Sequence, residues 1–257
     1  MKRLVTALVL VPIVVYVAVS AHVLLFIGVT SLIAAFCFHE YARLSAAHGF
    51  PIAFWPGLAA GIAVVTLPTV DPTLLLIPVF LGLGLALRTR NMAMVLPQAA
   101  SLALGLLYCF LPWRCAVALR GIAPYWLVFA LAVNWIGDGA AFYFGSRFGR
   151  RKLAPQISPG KSWEGTVASV VFSSLFGLAF LRHFAPELPV WEVLMLAISA
   201  NIAGQLGDLC ESALKRGSGL KDSGTLLPGH GGWLDRVDSS LFSLPVVYLW
   251  LFRNRLL

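Results

Sequence analysis

Asp208, Asp235 and Asp238, with Lys215, Arg216 and Lys221 between them, are the residues of this chain whose types and spacing point most directly to chemistry. Asn201, Gln205, Asp208, Ser212 and Lys215 follow one another at steps of 4, 3, 4 and 3, which sets them on one helix face with Glu211 beside the stripe. An acid in or at the end of a membrane helix is costly, and normally faces a bundle interior, a water-filled cavity or a cation. The plainer alternative is a helix that emerges into water near Asp208. The connection from Glu211 to Trp233 argues for more, because it carries Lys215, Arg216, Lys221, Asp222 and His230 among glycines 217, 219, 224, 229, 231 and 232. Glycines let backbone N–H groups approach phosphate closely, and Lys and Arg supply the countercharge. Asp235 and Asp238 follow at once, on one face if a helix has begun there. Carboxylates from two helix ends with basic, glycine-rich backbone between them suit a divalent cation on a polyphosphate, since magnesium takes one or two carboxylates plus phosphate and water. His230 lies between two glycines with no second histidine nearby, so it positions the loop or touches substrate and does not indicate a transition-metal site.

A second polar cluster precedes the first. Asn134 and Asp138 stand four apart and lead to the basic run Arg147, Arg150, Arg151 and Lys152, which also reads as a topology signal for anionic lipid. The next stretch, Ser158-Pro159-Gly160-Lys161-Ser162-Trp163-Glu164-Gly165, contains Gly-Lys-Ser, but position 155, where a P-loop needs its first glycine, is Pro and no hydrophobic strand precedes it. The residues read instead as a helix start, with Ser162 as N-cap and Glu164 in the first turn, and such a start also receives anions.

The elements that position these groups must lie in a membrane. The chain has 257 residues, of which 59% are hydrophobic and 12% charged, and its mean hydropathy is +0.85; a soluble fold could not cover that much apolar surface. Soluble enzymes and disordered chains are excluded, and the net charge of +8 fits loops facing anionic lipid better than a nucleic-acid surface. Windows of ~20 apolar residues occur at residues 4 to 20, 22 to 42, 52 to 69, 72 to 88, 93 to 112, 122 to 145, 163 to 182, 189 to 210 and 237 to 253. The first follows Lys2 and Arg3 and reads as a retained anchor, because another apolar window comes directly after it. The pattern predicts an all-α polytopic membrane protein of about nine transmembrane helices with a cytoplasmic N-terminus. That orientation places fourteen of the 19 lysines and arginines inside, including all of those between 147 and 161 and between 215 and 236.

Residues 1–121, about five spans, read as scaffold. Residues 122–257, about four spans with cytoplasmic loops 146–162 and 211–236, read as the catalytic region. The acids fit for the chemistry, Asp138, Glu164, Asp208, Glu211, Asp222, Asp235 and Asp238, all lie there, whereas the first 130 residues carry only Glu40 and Asp71. Cys37, Cys109, Cys115 and Cys210 lack C-x-x-C spacing and read as packing residues.

Three stretches resemble a known family. Ser212-Ala213-Leu214-Lys215-Arg216, then Lys221-Asp222-Ser223-Gly224, then Leu227-Pro228-Gly229-His230-Gly231-Gly232-Trp233-Leu234-Asp235-Arg236-Val237-Asp238-Ser239 resemble the signature of the phosphatidate cytidylyltransferase, or CDP-diacylglycerol synthase, family. Gly207-Asp208-Leu209 with Glu211-Ser212, and Ser158-Pro159 with Lys161-Ser162 and Glu164-Gly165, are similar to further motifs of it. The resemblance implies a magnesium-dependent nucleotidyltransferase, a homodimer of the bacterial inner membrane with its site toward the cytoplasm. It implies that CTP and phosphatidic acid give CDP-diacylglycerol and pyrophosphate, with no nucleic-acid partner.

By the same resemblance Asp208 and Asp235 hold the metal, with a potassium ion allowed beside magnesium. Asp208, Asp235, Asp238, Lys215 and Arg236 are the catalytic set, and Asp138, Lys161, Ser162, Ser212, Arg216, Lys221, Asp222 and His230 bind substrate. Gly139 departs from the family pattern, which carries Thr or Ser after the aspartate. The alternatives are an inactive or altered-substrate relative that binds lipid and nucleotide, or a transporter, which predicts broken helices in two matching halves. The CDP-alcohol phosphotransferases fit less well, because their final acids are four apart where Asp235 and Asp238 are three apart.

Overall fold

A computed structural model describes residues 12–68, 76–224 and 231–253. Lys2, Arg3 and His230 lie outside the described residues. Within them the chain is 79% helical. Residues 12–19 are helical. They are followed by α1 (Val23–Ala47), α2 (Phe54–Thr66), α3 (Leu76–Ala86), a 3-10 turn Met92–Met94, α4 (Val95–Cys109), α5 (Leu111–Ile122) and α6 (Pro124–Phe148). A two-stranded antiparallel hairpin, β1 (Lys152–Ala154) and β2 (Ser158–Ser162), then leads to α7 (Trp163–Phe184), α8 (Val190–Gly217) and α9 (Leu234–Arg253).

Helix coincides with each of the nine apolar windows wherever the window is described. Among the described residues five runs are long and apolar enough to cross a membrane: Val23–Ala47, Met92–Ile122, Pro124–Phe148, Trp163–Phe184 and Val190–Gly217. The chain is therefore an all-α membrane protein, with five helices of spanning length among the described residues where about nine spans were expected of the whole chain. Phe54–Thr66 and Leu76–Ala86 are apolar but shorter. Cys37, Cys109 and Cys115 are buried as packing residues, whereas Cys210 is exposed.

Local chemistry sets the breaks. Ala123, in extended backbone at φ −162°, ends α5, and Pro124 starts α6 where its missing N–H costs nothing. Ser162 accepts from Gly165 N at 3.2 Å and caps α7, with Glu164 in the first turn. The predicted helix start is therefore present. The residues before it, expected as loop, form the hairpin, in which Lys152 pairs with Ser162 and Ala154 with Ser158. Both Glu164 carboxylate oxygens accept from Arg151 N at 3.3 Å and close the hairpin's base.

Helices α6, α7, α8 and α9 form the bundle beneath the site, and small residues let them approach one another. A Cβ on Gly137 of α6 would lie 2.5 Å from Ser169 Oγ and 2.7 Å from Ser173 Oγ, and one on Gly204 of α8 would run into Asn134 Oδ1. A buried polar network fills the contact. Asn201 Nδ2 donates to Ser169 Oγ at 3.0 Å and Ser173 Oγ at 2.9 Å, Gln205 Nε2 donates to Asn201 Oδ1 at 2.7 Å, and Asn134 Nδ2 donates to Ser243 Oγ at 2.7 Å. Gly204→Ala should therefore lower stability by about 1–3 kcal/mol through overpacking. Thermal unfolding in detergent checks this against Gly28→Ala, whose new methyl would meet nothing within 4 Å and should leave the transition in place.

Candidate active site

The polar stripe of α8 is not a helix end dissolving into water. Glu211 has no exposed surface and Lys215 only 8%, and the helix continues to Gly217. Ser212 Oγ donates to Asp208 Oδ1 at 3.3 Å. One turn further on, Lys215 Nζ lies 2.5 Å from Glu211 Oε2 and also bonds Asp235 Oδ1. A single buried ammonium thus ties α8 to the first turn of α9, across the glycine-rich connection.

Asp235 is held from several sides. Its Oδ2 accepts from Gly232 N at 2.8 Å and Ser223 N at 3.0 Å, and the Ser223 hydroxyl, whose one proton it shares with Glu40, lies 3.0 Å away. Gly231, at φ +79°, takes the left-handed backbone that turns the chain under this carboxylate. Burial pushes the Asp235 carboxyl upward, but the Lys215 ammonium and the Gly232 and Ser223 donors outweigh it and hold the group below its ordinary value. Three residues on, Asp238 Oδ1 accepts from Ser239 N at 2.6 Å.

The second loop reaches the same place. β2 delivers Lys161, whose Nζ lies 2.7 Å from Asp208 Oδ2. The two clusters seen separately in the sequence are therefore one site. They meet at a polar cavity of about 200 Å³ lined by Asn134, Trp135, Asp138, Asp208, Asp235, Arg236, Asp238, Ser239 and Ser240. That volume is below the ~300–1,000 Å³ of pockets that enclose a drug-sized ligand. It suits phosphate groups and their counter-ions, with the rest of a large substrate outside.

Among the proposed residues, Asp138, Asp208, Asp235, Arg236 and Asp238 line the cavity, and Lys161, Lys215 and Ser212 bond to its carboxylates. Ser162 lies at the α7 cap. Arg216 instead bonds Ile157 O at 3.4 Å and Leu220 O at 3.2 Å, bracing the hairpin against the α8 end. Lys221 and Asp222 are exposed and do not line the cavity.

Sequence reasoning missed Trp135, Ser223 and, above all, Glu40. Glu40 comes from α1 and is fully buried against the connection, accepting from Ser223 Oγ at 2.7 Å. The signal was available, because a lone acid inside an apolar helix is expensive unless something there requires it.

Among the described residues no three His, Cys, Asp or Glu side chains stand in a ready-made metal cage. The lining nonetheless fits magnesium, because its possible donors are carboxylate, amide and hydroxyl oxygens with no imidazole or thiolate, and magnesium completes its shell with phosphate and water.

The cytidylyltransferase family matches residues 1–253 of the chain. Proteins named phosphatidate cytidylyltransferase are similar to it. That of Staphylococcus haemolyticus (strain JCSC1435) is 38% identical over 161 residues, covering 63% of this chain and 59% of that protein. That of Staphylococcus saprophyticus (subsp. saprophyticus) is 41% identical over 134 residues, covering 52% of each chain. That of Bacillus subtilis (strain 168) is 36% identical over 157 residues, covering 60% of this chain and 58% of that protein. The chain thus spans between half and three-fifths of the length of the curated relatives it matches. Because the family match runs across nearly the whole sequence, the chain belongs to the cytidylyltransferase family.

Proposed function

We propose that this protein transfers CMP from CTP to phosphatidic acid, giving CDP-diacylglycerol and pyrophosphate. The observation that carries the reading is the meeting of the two loops at one carboxylate-lined cavity, through the pairs Lys161–Asp208 and Lys215–Asp235. A phosphate oxygen of phosphatidic acid forms a bond to the α-phosphorus of CTP while the bond from that phosphorus to the β-phosphate oxygen breaks. Both reactants are anions that repel each other. Asp208 and Asp235 would hold magnesium, with potassium as a second cation, and what magnesium supplies when bound is neutralisation of the triphosphate and of the leaving pyrophosphate.

The protein's own cations do the rest. Lys161, paired with Asp208 from a hairpin strand, and Arg236, which lines the cavity from the first turn of α9, gather phosphate oxygens. Lys215 keeps the carboxylates of Asp235 and Glu211 paired at the floor. A phosphate monoester has a second pKa of about 6, so the attacking oxygen is already ionised near neutral pH and no strong general base is required. Asp138 and Asp238 bound the space that receives the nucleotide phosphates. The enzyme works as a homodimer in the bacterial inner membrane, its site toward the cytoplasm, and the lipid chains stay in the bilayer while the headgroup enters the cavity.

The test is product identity. Detergent-purified protein given CTP, phosphatidic acid and magnesium should form a lipid whose mass is that of CDP-diacylglycerol, with one pyrophosphate per lipid. A lipid fraction unchanged in mass, from folded protein, overturns the reading. Gly139 provides a further check. Nothing lies within 4 Å of a Cβ placed there, so Gly139→Ser should fold normally and keep activity at or above that of the unsubstituted protein, measured as initial rate.

A further inference from the structure

The connection between α8 and α9 is held from outside itself, by α1. Glu40 has no exposed surface. Its Oε1 accepts from Trp233 N at 3.0 Å and its Oε2 from Leu234 N at 2.9 Å and Ser223 Oγ at 2.7 Å. Leu234 opens α9 and Trp233 directly precedes it, so these N–H groups are among those a helix start leaves without an internal partner. A local side chain usually caps them, but here the carboxylate comes from a residue 194 positions away in the chain.

The surroundings are shaped to that carboxylate. A Cβ on Gly224 would lie 2.5 Å from Glu40 Oε1, and one on Gly232 would collide with Glu40 Oε2 and Ser223 Oγ. Phe36, on the same helix, stacks on Trp233 with ring centroids 5.6 Å apart. His48 Nε2 donates to Leu214 O at 2.9 Å, so α1 grips both ends of the connection. Ser223 relays the grip, because its hydroxyl lies 2.7 Å from Glu40 Oε2 and 3.0 Å from Asp235 Oδ2.

We infer that Glu40 is a positioning residue for the reaction: acting through Ser223 and the first N–H groups of α9, it fixes where the Asp235 carboxylate stands. This rests on the reading of Asp235 as a cation-holding group. Glu40 is not among the residues that line the cavity, and a residue that orients a ligand commonly governs metal affinity or activity by about 10- to 100-fold. Both Glu40 oxygens are acceptors in use. Glutamine fills the same volume but turns one acceptor into a donor facing donors, so a merely space-filling role would tolerate it and a clamp would not.

The experiment compares the full-length wild type, Glu40→Gln and Ser223→Ala in detergent. It measures amide hydrogen exchange at 232–235, the magnesium concentration for half-maximal rate, and kcat and KM for each substrate. Glu40→Gln should speed exchange at Trp233 and Leu234, raise the magnesium requirement about 10-fold or more and lower kcat, with the KM for phosphatidic acid nearly unchanged. Ser223→Ala should raise the magnesium requirement and leave the Trp233 and Leu234 amides protected. If Glu40→Gln does not fold, Ser223→Ala decides through the same magnesium requirement. Wild-type exchange and magnesium requirement in folded variants overturn the inference, as does faster exchange with an unchanged requirement, which leaves Glu40 a structural cap. The exchange arm needs no turnover, so loss of the clamp and failure of the proposed reaction are told apart.

Discussion

Asp235→Asn is expected to lower the proposed cytidylyl transfer by about 1,000-fold, at the upper end of what removing one preorganised electrostatic group costs an enzyme. The substitution keeps the shape and removes the charge. It also misdirects what remains, since Asp235 Oδ2 accepts from Gly232 N and Ser223 N while Oδ1 takes Lys215. An amide cannot accept on both sides, so its N–H₂ must face either Lys215 or the backbone donors. The rate should fall with kcat, while extraction and size-exclusion behaviour stay those of the wild type. A folded Asp235→Asn variant within a few-fold of the wild-type rate removes the carboxylate from the reaction.

The second large effect is on folding. Lys215→Ala takes away the ammonium shared by Glu211 and Asp235 and leaves a fully buried Glu211 carboxylate and a largely covered Asp235 carboxylate without it. Removing one partner of a buried ion pair costs about 3–5 kcal/mol, a large part of the marginal stability of a domain. The unfolding transition should drop sharply, and transfer should be lost with it. Adding Glu211→Gln to Lys215→Ala should recover part of the stability, because the fully buried one of the two uncompensated charges is gone, without recovering turnover. An unchanged transition in Lys215→Ala would show that these carboxylates do not depend on the lysine.

How much of this was legible in the sequence follows from the range of each interaction. Ser162 as a cap and Asn201, Gln205, Asp208, Ser212 and Lys215 as one face are local regularities, governed by helix geometry within a few residues, and they stand in the structure as read. The apolar windows located helices for the same reason, but not how many of those helices are long enough to cross. The pairing of Lys161 with Asp208, 47 positions apart, has no local signature, and neither has the hairpin that delivers it from a Pro- and Gly-containing strand. Glu40 is the extreme case. Its partners lie 183 to 194 positions downstream, and a helix that reads as apolar wall by composition carries the group that holds the connection. Lys221 and Asp222 show the opposite: they belong to the resemblance, yet their side chains are exposed and lie outside the cavity lining.

The most direct measurement is the fate of label from CTP marked at the α-phosphate, incubated with purified protein and phosphatidic acid in magnesium or in excess EDTA. The expected result is label in the organic phase, dependent on both phosphatidic acid and magnesium, with none of a γ-phosphate label following it. Label that stays with the aqueous nucleotide in every arm, or enters lipid equally in EDTA, contradicts the account.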